Sequence, residues 1–293
     1  MTPFRLELQS LSVRYGATRA LDGVGFTVEP GTICGLLGRN GSGKTTLLST
    51  VAAFRRPTAG RVLVDGETPF ENARVMAGIC LVREGGDVLD DRVDAALRYA
   101  ARIRSTWDAS LAARLVERFE LPRRASVKAL SRGKRSALGA VIGLASRAPL
   151  TLFDEVYLGM DAPSRYAFYD ELLADYMAHP RTIVLSSHLI DEVERLFEHV
   201  VIIDHGRLLV ADTSESLARS GVTVTGPADA VDAFVAGANV LRRQELGRTA
   251  AVTLHGHLDT EAERRASELG LTLGAVGLQD LFVHLTAPEK DAA

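Results

Sequence analysis

Gly38-Arg39-Asn40-Gly41-Ser42-Gly43-Lys44-Thr45-Thr46 is the stretch whose reading decides the fold. It follows TICGLL (residues 32–37), a continuous apolar run of the kind found in strands buried on both faces. It precedes a helical pattern that starts near Lys44. G-x-x-x-x-G-K-[ST] between strand and helix is a P-loop. Gly38, Gly41 and Gly43 let the backbone curl so that its N–H groups, from Gly38 to Thr46, point at phosphate oxygens. The helix N-terminus adds partial positive charge. Lys44 reaches the β- and γ-phosphates, and the Thr45 hydroxyl is a ligand for Mg²⁺. An α/β domain that binds a nucleoside triphosphate follows.

The flanking sequence agrees. Residues 4–8, 11–15 and 25–28 read as short strands before the loop, and residues 61–64 and 79–82 as strands after it. A helical stretch, about residues 85–148, comes next. Strands return at 150–153, 182–185 and 200–203, and His205-Gly206 turns the last into 207–210. LTLFDE ends in two carboxylates: Asp154 suits the Mg²⁺ shell and Glu155 the polarisation of an attacking water. From residue 220 to 293 the pattern is β-α-β-β-α-β, which reads as a small α+β, ferredoxin-like domain. A first domain over residues 1–219 is expected, with a mixed sheet, an antiparallel β subdomain and a helical subdomain.

Bulk properties exclude other classes. The 34 Lys and Arg are scattered among 37 Asp and Glu, for a net charge of −3. No basic stripe suited to nucleic acid is visible, and Arg55-Arg56 reads as solvated loop charge. ALGAVIGLA (137–145) is far shorter than the ~20 residues that span a bilayer. Nothing marks the N-terminus for secretion. Cys34 and Cys80 lie in apolar segments and read as free buried thiols of a cytoplasmic protein.

A resemblance to the ABC ATPase family covers about residues 6–212. Leu130-Ser131-Arg132-Gly133-Lys134 stands where that family has its signature, Gly159-Met160-Asp161 where it has its D-loop, and His188 where it has a switch histidine. Tyr15 stands where the family stacks an aromatic ring on adenine. The resemblance implies that Glu155 and His188 are catalytic, and that Ser131, Gly133 and Asp161 complete a nucleotide site on a second, head-to-tail copy. It also implies a separate integral membrane permease docking near residues 83–104, with the chain peripheral on the inner membrane face. Single-cassette bacterial exporters fit better than importers.

The departures matter as much: Val156-Tyr157 stands where the family has Pro-Thr after its catalytic glutamate, and three single residues depart as well. Glu84 occupies the place of a glutamine that contacts Mg²⁺, and remains a candidate metal ligand. Arg132 and Lys134 replace a glycine and a glutamine of the signature. The alternatives are a soluble ABC-type ATPase acting on DNA or ribosomes, and a P-loop kinase. The first needs a long coiled coil or a second cassette, and the second leaves Ser131, Asp161 and His188 unexplained. The other histidines, at 179, 199, 205, 255, 257 and 284, have no such context.

Overall fold

The computed structural model describes residues 2–85, 92–238, 240–256, 258 and 260–286. Residues 86–91, part of the expected helical subdomain and docking groove, and His257 lie outside the described residues. The chain divides into two compact units, one formed by 1–189 with 195–211 and the other by 190–194 with 212–293.

The first unit opens with β1 (Leu6–Tyr15), β2 (Thr18–Val28) and β3 (Ile33–Leu37), followed by α1 (Lys44–Val51) and β4 (Ala59–Val64). Strands β1, β2 and β4 form an antiparallel sheet in the order β2-β1-β4. The sequence suggests two strands before Tyr15; there is one. Leu6 and Leu8 point inward, then Leu11 and Val13 do, so the inward phase shifts by one residue. The register slips between Leu8 and Leu11, where Ser10 has φ 47°. That is a bulge, and it re-aims the second half of the strand at the same core.

Next come α2 (Ala73–Ala77), β5 (Ile79–Arg83), α3 (Val93–Ile103), α4 (Ala109–Arg118), α5 (Arg132–Ser146), β6 (Leu150–Asp154), α6 (Ala162–Ala178) and β7 (Thr182–Ser187). β8 (His199–Asp204) and β9 (Arg207–Thr213) follow, after α7 (Ile190–Val193), which belongs to the second unit. The main sheet has the order β5-β6-β7-β3-β8-β9, with β5, β6, β7, β3 and β8 parallel. β3 sits between β7 and β8 with all five residues buried, which explains its unbroken apolar run. Parallel strands bring their C-terminal ends to one edge. There the chain leaves β3 into the P-loop, β5 into Glu84, β6 into Glu155 and β7 into His188. Open α/β sheets hold their ligands at such an edge.

A buried ionic node lies within this unit. Arg147, the αL C-cap of α5 (φ 42°), reaches Asp108 at 2.8 Å and Asp175 at 2.7 Å. The other oxygen of Asp175 takes Arg181 at 2.7 Å. The thiols of Cys34 and Cys80 are buried and free.

The second unit adds α8 (Ser214–Ala218), β10 (Gly221–Pro227), α9 (Ala228–Val235), β11 (Val240–Leu246), β12 (Thr249–His255), α10 (Thr260–Glu268), β13 (Thr272–Ala275) and α11 (Leu278–Leu285). Its antiparallel sheet has the order β11-β12-β10-β13. Val224, Val252 and Leu254 pack with Val231, Phe234 and Ala266 to form its core. Among the described residues no helix is long and apolar enough to cross a membrane.

Candidate functional site

The P-loop is held from within and from behind. Lys44, only 5% exposed, turns its ammonium back to the carbonyls of Gly38 at 2.7 Å and Arg39 at 3.2 Å. Ser42 N–H donates to Arg39 O, and Gly206 N–H donates to Ser42 O at 2.9 Å. Asp22 N–H in turn donates to Gly206 O at 2.8 Å. Two glycines are required by crowding. A Cβ at Gly38 would lie 2.3 Å from Ser42 Oγ and 2.5 Å from Ile203 O; Gly43 has φ 109°, and a Cβ there would lie 2.7 Å from Ala20 O. Ser42 Oγ is buried and finds no hydrogen-bond partner among the described residues. An unpaired hydroxyl beside a buried ammonium and a helix start is a chemical fit to phosphate.

Below the loop, Asp154 is 4% exposed. Burial pushes its pKa up, against the hydrogen bonds from Ser186 and Thr45 that favour the ionised form. The Ser186 bond is 2.8 Å, and it follows from the pairing of Asp154 with Ser186 across β6 and β7. Glu155 has φ 48°, unusual for a residue with a side chain. Its N–H donates to Ser186 Oγ at 3.0 Å. Its Oε1 lies 3.3 Å from Lys44 Nζ and 3.4 Å from His188 Nδ1. One carboxylate therefore meets the loop cation and the histidine that follows β7 together.

Asn40, Gly41, Ser42, Gly43, Lys44, Thr45, Thr46, Glu84, Arg132, Glu155 and His188 line one cleft of about 800 Å³. Gly38 and Arg39 lie beneath it through their carbonyls. Where the sequence reading has Glu84 face a cation, the structure pairs its carboxylate with the Arg132 guanidinium. Thr45 and Asp154 offer the hard oxygens that suit Mg²⁺, which characteristically takes one or two carboxylates and completes its shell with phosphate and water. Among the described residues no group of three His, Cys, Asp or Glu side chains is gathered to hold a metal without such help.

Ser131, Gly133 and Asp161 do not join that cleft. They line a second cavity of about 440 Å³ with Lys134, Gly159 and Ser164. Ser131 Oγ caps α5 by accepting from Lys134 N at 3.2 Å. Asp161 caps α6 by accepting from Ser164 N at 2.9 Å, and the Ser164 hydroxyl together with that N–H holds its pKa down. Gly133 is required because a Cβ would lie 2.4 Å from Gly159 O. Lys134 donates its ammonium to Phe119 O at 2.7 Å and to Glu120 O, closing the end of α4. The sequence shows this lysine only as a departure; its use is structural.

Tyr15 lies at the exposed end of β1. The Arg55 guanidinium sits 3.7 Å above its ring centroid, and Tyr15 is not among the residues lining the phosphate cleft. Ser186, Ser187 and Tyr157 carry hydrogen bonds at the site; the sequence shows Tyr157 only as a departure and gives no role to the two serines. Residues 21–157 match the ABC transporter family. The ATP-binding protein NatA of Bacillus subtilis is 32% identical over 69% of this chain and 85% of its own length.

The chain belongs to the ABC transporter family of ATP-binding proteins. As an ABC ATPase it binds and hydrolyses ATP. The Nod factor export ATP-binding protein I of Paraburkholderia xenovorans is 29% identical over 97% of both chains. A solved ATP-binding subunit of an ABC transporter superposes with a TM-score of 0.65 at 25% identity, covering 73% of this chain and 92% of that one.

Proposed function

We propose that this ABC ATPase drives export through a separate integral membrane permease, working as a head-to-tail pair with a second copy. The observation that carries the reading is the division of its nucleotide-facing residues into two half-sites. The P-loop, Glu155 and His188 share one cleft, while Ser131, Gly133 and Asp161 line another. A two-fold pair brings each cleft against the partner's second cavity and makes two whole sites. Similarity along nearly the whole chain to a protein named for export supports the direction. In this reading the chain lies on the cytoplasmic face of the membrane, and the permease meets it near residues 83–104. The second unit is assigned as a ferredoxin-like domain, because its sheet order and β-α-β-β-α-β succession are those of that fold. An affinity-tagged chain recovered from detergent-solubilised membranes should bring a stoichiometric integral membrane protein with it. Recovery with nucleic acid or ribosomes instead would reject the reading.

Glu155 is assigned to the attacking water, and His188 to the γ-phosphate. Tyr15 is assigned to adenine, stacking on the ring face opposite Arg55. Mg²⁺, held by Thr45 and Asp154, would neutralise phosphate charge. Glu84 is assigned to the same shell, with Arg132 as its partner when no cation is bound. Glu84→Gln should then raise the Mg²⁺ concentration for half-maximal turnover by about tenfold, the low end of what a disturbed ligand shell costs. Superimposable Mg²⁺ titrations of the two proteins would leave Glu84 as the partner of Arg132 alone.

A further inference from the structure

Tyr157 is fully buried behind His188 and has no part in the assignments above. Its ring packs tilted against His188 and Tyr169. Its hydroxyl oxygen accepts from Ser187 Oγ at 3.1 Å and from the backbone N–H of His188 at 3.1 Å. Ser187 Oγ is itself held by the N–H of Leu189 at 2.9 Å. A phenol has two lone pairs and one proton, so these donors fill its accepting capacity. Its proton then faces His188 Nδ1 at 3.3 Å. Glu155 Oε1 approaches that same nitrogen at 3.4 Å. Nδ1 can serve only one of them, by lone pair to the phenol or by N–H to the carboxylate.

We propose that Tyr157 is a positioning residue that donates its O–H to His188 Nδ1, fixing the neutral imidazole with its proton on Nε2 and leaving Glu155 free of the histidine. The inference rests on the assignment of Glu155 and His188 to hydrolysis. An unpaired phenol proton in a dry site is costly, whereas Glu155 already has Lys44 at 3.3 Å as its counter-charge. Burial also pushes the Tyr157 hydroxyl up to about 12, so the proton stays on the phenol. Two consequences for catalysis follow. Nε2–H becomes the donor that the ring presents to a phosphate oxygen, and the carboxylate keeps a lone pair for the proton of water. Which nitrogen of a histidine carries the proton is set by the partner of the other one.

Long-range ¹H–¹⁵N spectra of the imidazoles in the full-length, nucleotide-free protein test this, with the His188 signals identified by their loss in His188→Gln. The wild type should show Nδ1 unprotonated and Nε2 protonated. Tyr157→Phe keeps the ring and removes the hydroxyl, and should move the proton wholly or partly to Nδ1. Its kcat should fall by about 10- to 100-fold, below or at the low end of a direct general-base contribution. Its ATP affinity should stay within about threefold, as expected when the loss is in the transition state. A proton on Nδ1 in the wild type overturns the proposal, and this result needs no folded variant. An unchanged tautomer in Tyr157→Phe, or a changed tautomer with unchanged kcat, also overturns it. A wild type without ATP turnover would reject the functional reading instead, since the nucleotide-free spectrum is independent of it.

Discussion

Glu155→Gln should lower ATP turnover by about 10²–10⁴-fold, the range of a positioned general base. ATP affinity should stay within a few-fold of wild type. The change is isosteric, so the backbone at φ 48° and its N–H bond to Ser186 are kept. What is lost is the charge that faces Lys44 and the basic oxygen near His188. Lys44 keeps its bonds to the carbonyls of Gly38 and Arg39, so the phosphate loop retains its shape. Removing an anion beside the loop also relieves its repulsion of the incoming phosphates, which argues against weaker binding. Steady-state ATPase rates and a nucleotide titration separate the two quantities. Full turnover in the variant would remove Glu155 from the reaction.

The largest effect on stability is expected at Asp175→Ala. Asp175 is 6% exposed and Arg181 2% exposed. Two oxygens of one carboxylate hold Arg147 and Arg181, each at 2.7 Å. Nε and Nη2 of Arg181 find no hydrogen-bond partner among the described residues, and burial already pulls its pKa down. Its charge therefore depends on Asp175. Removing one partner of a buried pair leaves the other uncompensated, at a cost of about 3–5 kcal/mol. Asp175→Asn should cost less, because the amide oxygen still accepts. The single tryptophan, Trp107, lies in the same unit and reports urea unfolding. A loss below about 1 kcal/mol, the scale of an exposed pair, would show that the node is solvated.

Legibility in the sequence followed the range of the interaction. The P-loop, the apolar strand before it and the carboxylate pair Asp154-Glu155 are local, and their chemistry can be read residue by residue. The bulge at Ser10 looked like a break between strands because a one-residue slip of inward phase is also what a turn produces. Ser186 was silent because its role depends on which residue of β6 it faces, a matter of register between strands 32 residues apart in sequence. Arg132 and Lys134 were visible only as departures from a signature. Their partners, Glu84 and the end of α4, are brought to them by folding. Tyr157 was likewise visible only as a departure, since a tyrosine two residues after a glutamate gives no hint that its hydroxyl will lie beneath a histidine 31 residues away.

The clasp between the hairpin turn and the phosphate loop bears on where the free energy of nucleotide binding comes from. With Ser42 O tied to Gly206 N and Gly206 O tied to Asp22 N, the loop takes its curled path as part of folding. Ordering a free backbone costs about 1–2 kcal/mol per residue. A glycine-rich loop that curled only around its ligand would meet that cost in every cycle of loading and release. Here the entropy is lost once, when the sheet closes. The amides then stand oriented before the phosphates arrive, and preorganisation of this kind leaves more of each contact to appear as affinity.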